Sequence, residues 1–240
     1  MSSSECFENP PILSSTFGKG IVKELGGLKT YVAGTDHSKL AIVLISDIFG
    51  YEAPNLRKVA DKVAAAGFLV VVPDFFNGEP YDLDNPAMNR ESWRKAHPTD
   101  KGYEDAITVI VSLREQGVTS IGAAGFCWGG VVVAKLAKTD HIQGAVILHP
   151  GRIPEDEVPE IKIPTAILGA EIDHASPPDQ LKRFGEILAA KSEVMDSFVK
   201  IFAGVGHGWT MRYNREDKWA VKSAEDALQD MLNWFIKHVH

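Results

Sequence analysis

The sequence predicts an α/β fold, a mostly parallel sheet of about eight strands that opens with an antiparallel hairpin and carries helices on both faces. Three observations support this. Short, continuously apolar runs recur along the chain, amphipathic stretches with helical periodicity separate them, and glycine or proline punctuates the junctions.

In order, residues 1–18 read as a flexible tail, with neither the basic and apolar pattern of a secretory leader nor the arginine-rich pattern of an organellar one. "GIVKEL" and "LKTYVAG" flank Gly26-Gly27 and form the hairpin, since glycine permits the positive φ of a tight turn. "LAIVLIS" (40–46) is a buried strand. Leu56, Val59, Ala60, Val63 and Ala64 stripe a helix that Gly67 stops, and "FLVVVP" (68–73) is the next strand. Residues 74–99, with three prolines, mixed charge and scattered aromatics, break the rhythm. They read as an excursion that holds a short helix and caps a site. A helix from Gly102 to Gly117, the strand "SIGAAGF" (120–126), a glycine turn and the helix "VVVAKLAK" follow. "GAVILHP" and "PTAILGA" (164–170) are strands. A helix marked by Leu181, Phe184 and Leu188, the strand "SFVKIFAG" (197–204) and a final helix along Ala224, Leu228, Met231, Leu232 and Phe235 complete the chain. With no repeat, low-complexity tract or linker, residues 19–240 read as one domain.

Composition excludes several classes. The 240-residue chain is 45% hydrophobic, enough for a large core, and its formal charge of -7 offers no basic face for nucleic acid. No apolar run approaches the roughly 18 residues of a membrane span. Two cysteines, Cys6 in the tail and Cys127 far from it, make no disulfide framework, so a reducing, cytoplasmic location is expected.

In open α/β sheets, ligands bind outside the carboxyl ends of the strands. The residues directly after the apolar runs are Asp47, Asp74, Cys127, His149, Asp173 and His207. Cys127 lies in Gly125-Phe126-Cys127-Trp128-Gly129, the strand-turn-helix pattern Gly-x-nucleophile-x-Gly with cysteine in the central place. The flanking positions must be nearly free of side chain for strand and helix to pack closely, and the Trp128 N–H at the helix start would face a developing oxyanion. A thiol nucleophile needs a base, and His207 in "GVGHGW" follows the last strand between glycines. His37, His97, His141, His238 and His240 sit in tails or polar stretches and read as surface residues. Asp173 in "GAEIDHASP" can orient the imidazole; its rival is Glu171, and its plainer role is an acid near a helix N-terminus. The chain order 127, 173, 207 is that of hydrolases built on this type of sheet. Spaced metal ligands and a glycine-rich phosphate loop are missing, so no metal and no cofactor are expected. A carboxylate pair for glycan hydrolysis can be nominated in any chain with 32 acidic residues, so polysaccharide hydrolysis gains no support.

With "ISDIFG", "VVVPDFF", "GFCWGG", "GAEIDH" and "GVGHGW", the chain resembles the dienelactone hydrolase family of the α/β-hydrolase superfamily over nearly its full length, above all its eukaryotic, carboxymethylenebutenolidase-like members. The resemblance implies an α/β-hydrolase fold and a cysteine hydrolase of small-molecule esters or lactones, with Cys127 as nucleophile, His207 as base and then acid, and Asp173 as orienting carboxylate. It also implies that the Ile48 N–H joins that of Trp128 in the oxyanion hole. Asp47 stands where bacterial members carry a glutamate that holds the resting thiol. Two arginines that grip a substrate carboxylate in bacterial members have no direct match: Asn77-Gly78 and Met211 hold their places, with Arg212 one step late. Phe49, Phe76, His149 and Trp209, with Asp47 and Arg212, are the expected pocket residues, and Tyr81 and Trp93 add to an aromatic surround. Other readings are a lyase or isomerase of secondary metabolism using the same cavity, or a small-molecule receptor on a hydrolase scaffold. The sequence leaves the oligomeric state open.

Overall fold

The computed structural model describes residues 9–191 and 196–240. Cys6 and residues 1–8 of the expected tail lie outside the described residues. Residues 13–18 run along the body, where the buried Arg57 guanidinium donates to the carbonyls of Ser15 and Phe17 at 2.8 and 3.1 Å.

Among the described residues, eight strands form one sheet: β1 (Ile21–Leu25), β2 (Leu28–Ala33), β3 (Leu40–Ile45), β4 (Leu69–Pro73), β5 (Ser120–Phe126), β6 (Gly144–Leu148), β7 (Thr165–Ile172) and β8 (Ser197–Gly206). Their spatial order is β1-β2-β4-β3-β5-β6-β7-β8. The β1–β2 and β2–β4 pairs are antiparallel and the rest are parallel, as the apolar patterning predicts. At the hairpin, Gly26 and Gly27 both take positive φ, 60° and 81°. A β-carbon on Gly26 would lie 2.8 Å from the backbone of Val109, so this turn also seats the sheet on a helix.

Among the described residues, six α-helices cover the sheet: α1 (Pro54–Ala64), α2 (Arg90–Ala96), α3 (Thr99–Glu115), α4 (Trp128–Leu136), α5 (Pro178–Ala189) and α6 (Lys218–His238). The two-residue period of a strand divides them. Ala41, Val43 and Ile45 of β3 join a core with α3, α4 and α5, while Ile42 and Leu44 join another with α1 and α6. Gly67 stops the α1 turn at φ 101°.

Several details depart from the sequence reading, among them the end of β8 at Gly206 and the start of α4 at Trp128. α3 begins at Thr99, just after Pro98, and Gly102 lies inside it. A β-carbon there would sit 2.4 Å from the Trp128 ring, so this glycine makes room for an indole and marks no helix boundary. β7 runs on to Ile172, and a 3-10 helix spans Glu155–Glu160 with three acids in its first turn. The excursion keeps its short helix, α2, which Asn89 caps by accepting from the Glu91 and Ser92 N–H groups.

The order reverses beside β3: one crossover carries the chain to β4, and the next returns it to β5 on β3's other side. Such a switch point leaves a crevice at the carboxyl ends of the two strands, and the loops after Ile45 and Phe126 open there. Among the described residues, no helix is long and apolar enough to cross a membrane.

Candidate active site

Cys127 sits between β5 and α4 with φ 51° and ψ -107°, a backbone conformation few L-residues adopt. The surroundings impose it. The Cys127 N–H donates to the Leu148 carbonyl at 3.1 Å, and its carbonyl accepts from Gly130 and Gly151 at 3.1 and 2.8 Å. The flanking glycines are required by contact. A β-carbon on Gly125 would lie 2.0 Å from the Gly129 oxygen, and one on Gly129 would lie 2.2 Å from the Ile45 oxygen. Strand, turn and helix thus pack backbone to backbone. Trp128 opens α4, so its N–H belongs to the first-turn donors that a helix cannot satisfy itself, and the helix dipole adds positive potential at Cys127.

His207 and Asp173 meet from the loops after β8 and β7. Their side chains are wholly buried, and Nδ1 lies 2.8 Å from Oδ2. A carboxylate only accepts, so the His207 Nδ1–H donates. The other Asp173 oxygen, Oδ1, accepts from the Ala175 and Ser176 N–H groups at 2.8 and 3.2 Å. The acid therefore fills both roles weighed from the sequence, shaping the turn before α5 and orienting the histidine. Its rival Glu171 is exposed and accepts from the Gly204 N–H at 2.7 Å.

Ile48 lies in the loop after β3, which an N–H from Gly129 to the Ser46 carbonyl ties to α4 at 3.2 Å. Asp47 next to it accepts from the Phe49 N–H at 3.0 Å through Oδ1, and its Oδ2 lies 3.5 Å from the Arg212 Nε. Both side chains of this ion pair are almost completely buried, and the guanidinium also lies over the Phe49 ring. The chain turns back here, with Met211 and Arg212 both donating to the Gly208 carbonyl at 2.9 Å. A β-carbon on Gly208 would fall 2.0 Å from the Arg212 guanidinium, so this glycine, at φ 81°, vacates the arginine's seat.

A cavity of about 230 Å³ opens on the thiol. Ile48, Cys127 and Trp128 line it with Trp93, His97 and Arg152, among others. The pocket expected from sequence differs from this one. Asp47, Phe49, Phe76, His149, Trp209 and Arg212 are not among its lining residues. Phe76 is fully buried beneath it, with its ring 4.9 Å from that of Trp128 and 5.0 Å from that of Trp93. Phe49 faces a separate groove of about 960 Å³ under the excursion, and Trp209 packs on Phe202 and His149 in the core. His149 lies behind His207, with ring centroids 5.3 Å apart, and burial, followed by the charges of His207 and Arg212, lowers its pKa well below the usual value.

Several wall residues come from the excursion, whose lack of periodicity hid them. His97, set aside as a surface histidine, is one. Burial lowers its pKa, partly offset by Glu79, whose Oε2 lies 3.8 Å from its Nε2. The His97 carbonyl accepts from the Trp128 indole at 3.0 Å, which fixes that ring above the elbow. Asp74 is a turn former: its carboxylate accepts from the Phe76 and Gly78 N–H groups, and burial raises its pKa.

Comparison with known proteins gives a concordant result. The model of the dienelactone hydrolase family matches residues 28–239. A carboxymethylenebutenolidase homolog of Xenopus tropicalis is 33% identical, with 92% of each chain covered. An endo-1,3;1,4-beta-D-glucanase of Zea mays is 39% identical over 80% of this chain, which spans 64% of that protein's length. Among solved structures, a putative dienelactone hydrolase from Klebsiella pneumoniae superposes with a TM-score of 0.73 at 19% identity, covering 92% of this chain and 100% of that one, and shares the fold.

Proposed function

The chain belongs to the dienelactone hydrolase family, and from that membership we propose that it hydrolyses small-molecule esters or lactones through Cys127, His207 and Asp173. Ester or lactone hydrolysis is the activity of the family; the three residues and the covalent route are our reading. One observation carries it: a cysteine at φ 51° on a glycine-flanked strand-to-helix turn, in a chain whose buried His207–Asp173 pair is 2.8 Å long.

In the proposed cycle, His207 Nε2 takes the Cys127 proton, and the α4 N-terminus favours the thiolate that results. The sulfur attacks the carbonyl carbon, and the N–H groups of Ile48 and Trp128 hold the oxyanion. Collapse breaks the carbon–oxygen bond, and the leaving alkoxide takes the proton from the imidazolium. A water that gives its proton to His207 then cleaves the acyl-thiol, releasing the acid and restoring the thiol. Asp173 keeps Nδ1 protonated throughout, so Nε2 is the nitrogen that exchanges protons. Asp47 takes the place of the longer acid of bacterial members. Its ion pair with Arg212 draws its Oδ2 toward the histidine loop. A reducing cytosol would suit an enzyme that depends on a free thiol.

Intact-mass analysis after mixing with 4-nitrophenyl acetate is the test. One acyl group is expected on the wild type and none on Cys127→Ala; equal acylation of that variant overturns the assignment. The name of the maize relative raises β-glucan hydrolysis as a second reading, and the small cavity counts against it. Release of reducing sugar from mixed-linkage glucan, abolished by iodoacetamide, would reverse that preference.

A further inference from the structure

Behind His207 lies a second histidine that the proposed cycle does not use. His149 is fully buried at the carboxyl end of β6, and its backbone turns through φ 33°. Its Nε2 lies 2.7 Å from the Thr210 hydroxyl, while among the described residues its Nδ1 finds no hydrogen-bond partner. A buried bare lone pair costs less than a buried unpaired N–H, so the proton belongs on Nε2 and is donated to Thr210. The ring stands edge-on to His207 at 5.3 Å and to Trp209 at 5.1 Å.

The two residues after it reach the rest of the site. The Gly151 N–H donates to the Cys127 carbonyl at 2.8 Å. The Ser176 hydroxyl, beside the turn that Asp173 shapes, lies 3.1 Å from the Pro150 carbonyl and 3.2 Å from that of Gly151. Gly130 of α4 leaves Pro150 only as much room as a missing side chain gives, since a β-carbon there would lie 3.1 Å from it. One tripeptide, 149–151, thus touches the nucleophile turn, the acid's turn and the histidine loop, which β5, β7 and β8 deliver separately.

We propose that His149 is a positioning residue: as a neutral imidazole held by Thr210, it sets the ring of His207 against Cys127. A ring of this size is needed to fill the space between Phe126, Trp209 and His207. A neutral one is needed because His207 becomes a cation in every turnover, and a second cation against it in a dry site would oppose that step. The uncharged Thr210 hydroxyl satisfies the imidazole without drawing a proton onto it.

The proposal rests on Cys127 and His207 as nucleophile and base, so the experiment first establishes burst acylation of the wild type by 4-nitrophenyl acetate. Without a burst that Cys127→Ala removes, the parent reading fails. With it, Thr210→Val, His149→Phe and Thr210→Ser are compared for acylation rate, substrate Kd from saturation of that rate, and the rate of Cys127 alkylation by iodoacetamide at neutral pH. Thr210→Val keeps the shape and loses the hydroxyl, and His149→Phe keeps a ring in place. Both are expected to acylate about 10- to 100-fold more slowly with the substrate Kd, read from saturation of the burst rate, within about two-fold, the loss expected of a base displaced by a fraction of an ångström. Alkylation slows with them, because the thiolate loses its base, while Thr210→Ser restores both rates. If folded Thr210→Val keeps wild-type acylation and alkylation, or if the substrate Kd alone changes, the assignment of His149 as a positioning residue is wrong.

Discussion

Gly129→Ala sets two known effects against each other. The residue lies in the first turn of α4, where alanine is favoured over glycine by about 1 kcal/mol, so helix propensity alone makes the variant more stable. Contact says otherwise. The added carbon would stand 2.2 Å from the Ile45 oxygen and 2.7 Å from both the Ile45 carbon and the Ser46 oxygen. An ordinary carbon–oxygen contact is about 3.3 Å, so α4 and β3 must part by about 1 Å, and no flexible side chain can absorb the movement. Overpacking of this kind costs about 1–3 kcal/mol, at the upper end here because all three atoms are backbone. The net expectation is a loss of about 2 kcal/mol in urea unfolding. Since the same shift moves Cys127 and the Trp128 N–H, acylation by 4-nitrophenyl acetate should fall about 100-fold. Gly185→Ala in α5 is the control: its β-carbon would meet only the Val199 side chain at 3.2 Å, so stability should stay within about 1 kcal/mol. A Gly129→Ala protein as stable as wild type, acylating within three-fold of it, would refute the steric account of the elbow.

Four further outcomes follow from the site. Asp173→Asn keeps an oxygen for the Ala175 and Ser176 N–H groups and loses the charge facing His207. It should fold normally and acylate about 1,000-fold more slowly, and a loss under ten-fold would remove Asp173 from the triad. Arg212→Met leaves Asp47 buried without that partner and should cost about 3–5 kcal/mol. The cycle with Asp47→Asn should show about 1–3 kcal/mol of coupling, and strictly additive changes in urea midpoints would contradict the pair. Trp93 lines both the cavity and the outer groove, so Trp93→Leu should raise kcat/KM for 4-nitrophenyl hexanoate relative to acetate; an unchanged ratio would mean that Trp93 does not limit acyl length. Burial holds the pKa of His149 and His97 below the ordinary histidine value, so as pH falls the unfolded chain takes up these protons first. Stability present above about pH 6.5 should therefore drain away toward pH 5, at up to about 1.4 kcal/mol per pH unit for each histidine. In His149→Phe the slope should be shallower, and an equal slope would place the titration elsewhere.

The strands and most helices were legible because their signals are local. A buried parallel strand must be continuously apolar, and a helix on a sheet must show a stripe. The turn at Cys127 was legible for the same reason, its two glycines being dictated by contacts within five residues and one neighbouring strand. Gly102 misled because its cause is remote: a glycine inside a helix usually marks a boundary, and here it makes room for the Trp128 indole from another element. Arg212 was misplaced by a related route. Counting from His207 puts it one position late, but the turn at Gly208 folds the chain back and delivers the guanidinium to Asp47. A residue count along a loop does not give direction in space, and only the missing β-carbon of Gly208 hinted at it.

The pocket resisted sequence reading for a different reason. Residues after strand ends can be listed from the sequence alone, and they include the turn at Cys127 and the paired Asp173 and His207, but such positions lie at the floor of the crevice. Asp47 and His149 were chosen that way, while Phe49, Phe76, Trp209 and Arg212 came with the resemblance, and none of the six lines the cavity at Cys127. The wall comes partly from 93–99, where α2 and the chain entering α3 fold over the thiol, held by the Trp128 indole on the His97 carbonyl and the Trp93 indole on the Glu79 carbonyl at 2.8 Å. These bonds run from side chains to backbone across long separations, so they impose no periodicity and leave no residue-type signature in the sequence. They do, however, place rigid aromatic walls against the thiol. On the proposed reading, the sheet would then determine the bond to be broken and the excursion the acyl group that can reach it, which the Trp93→Leu comparison tests.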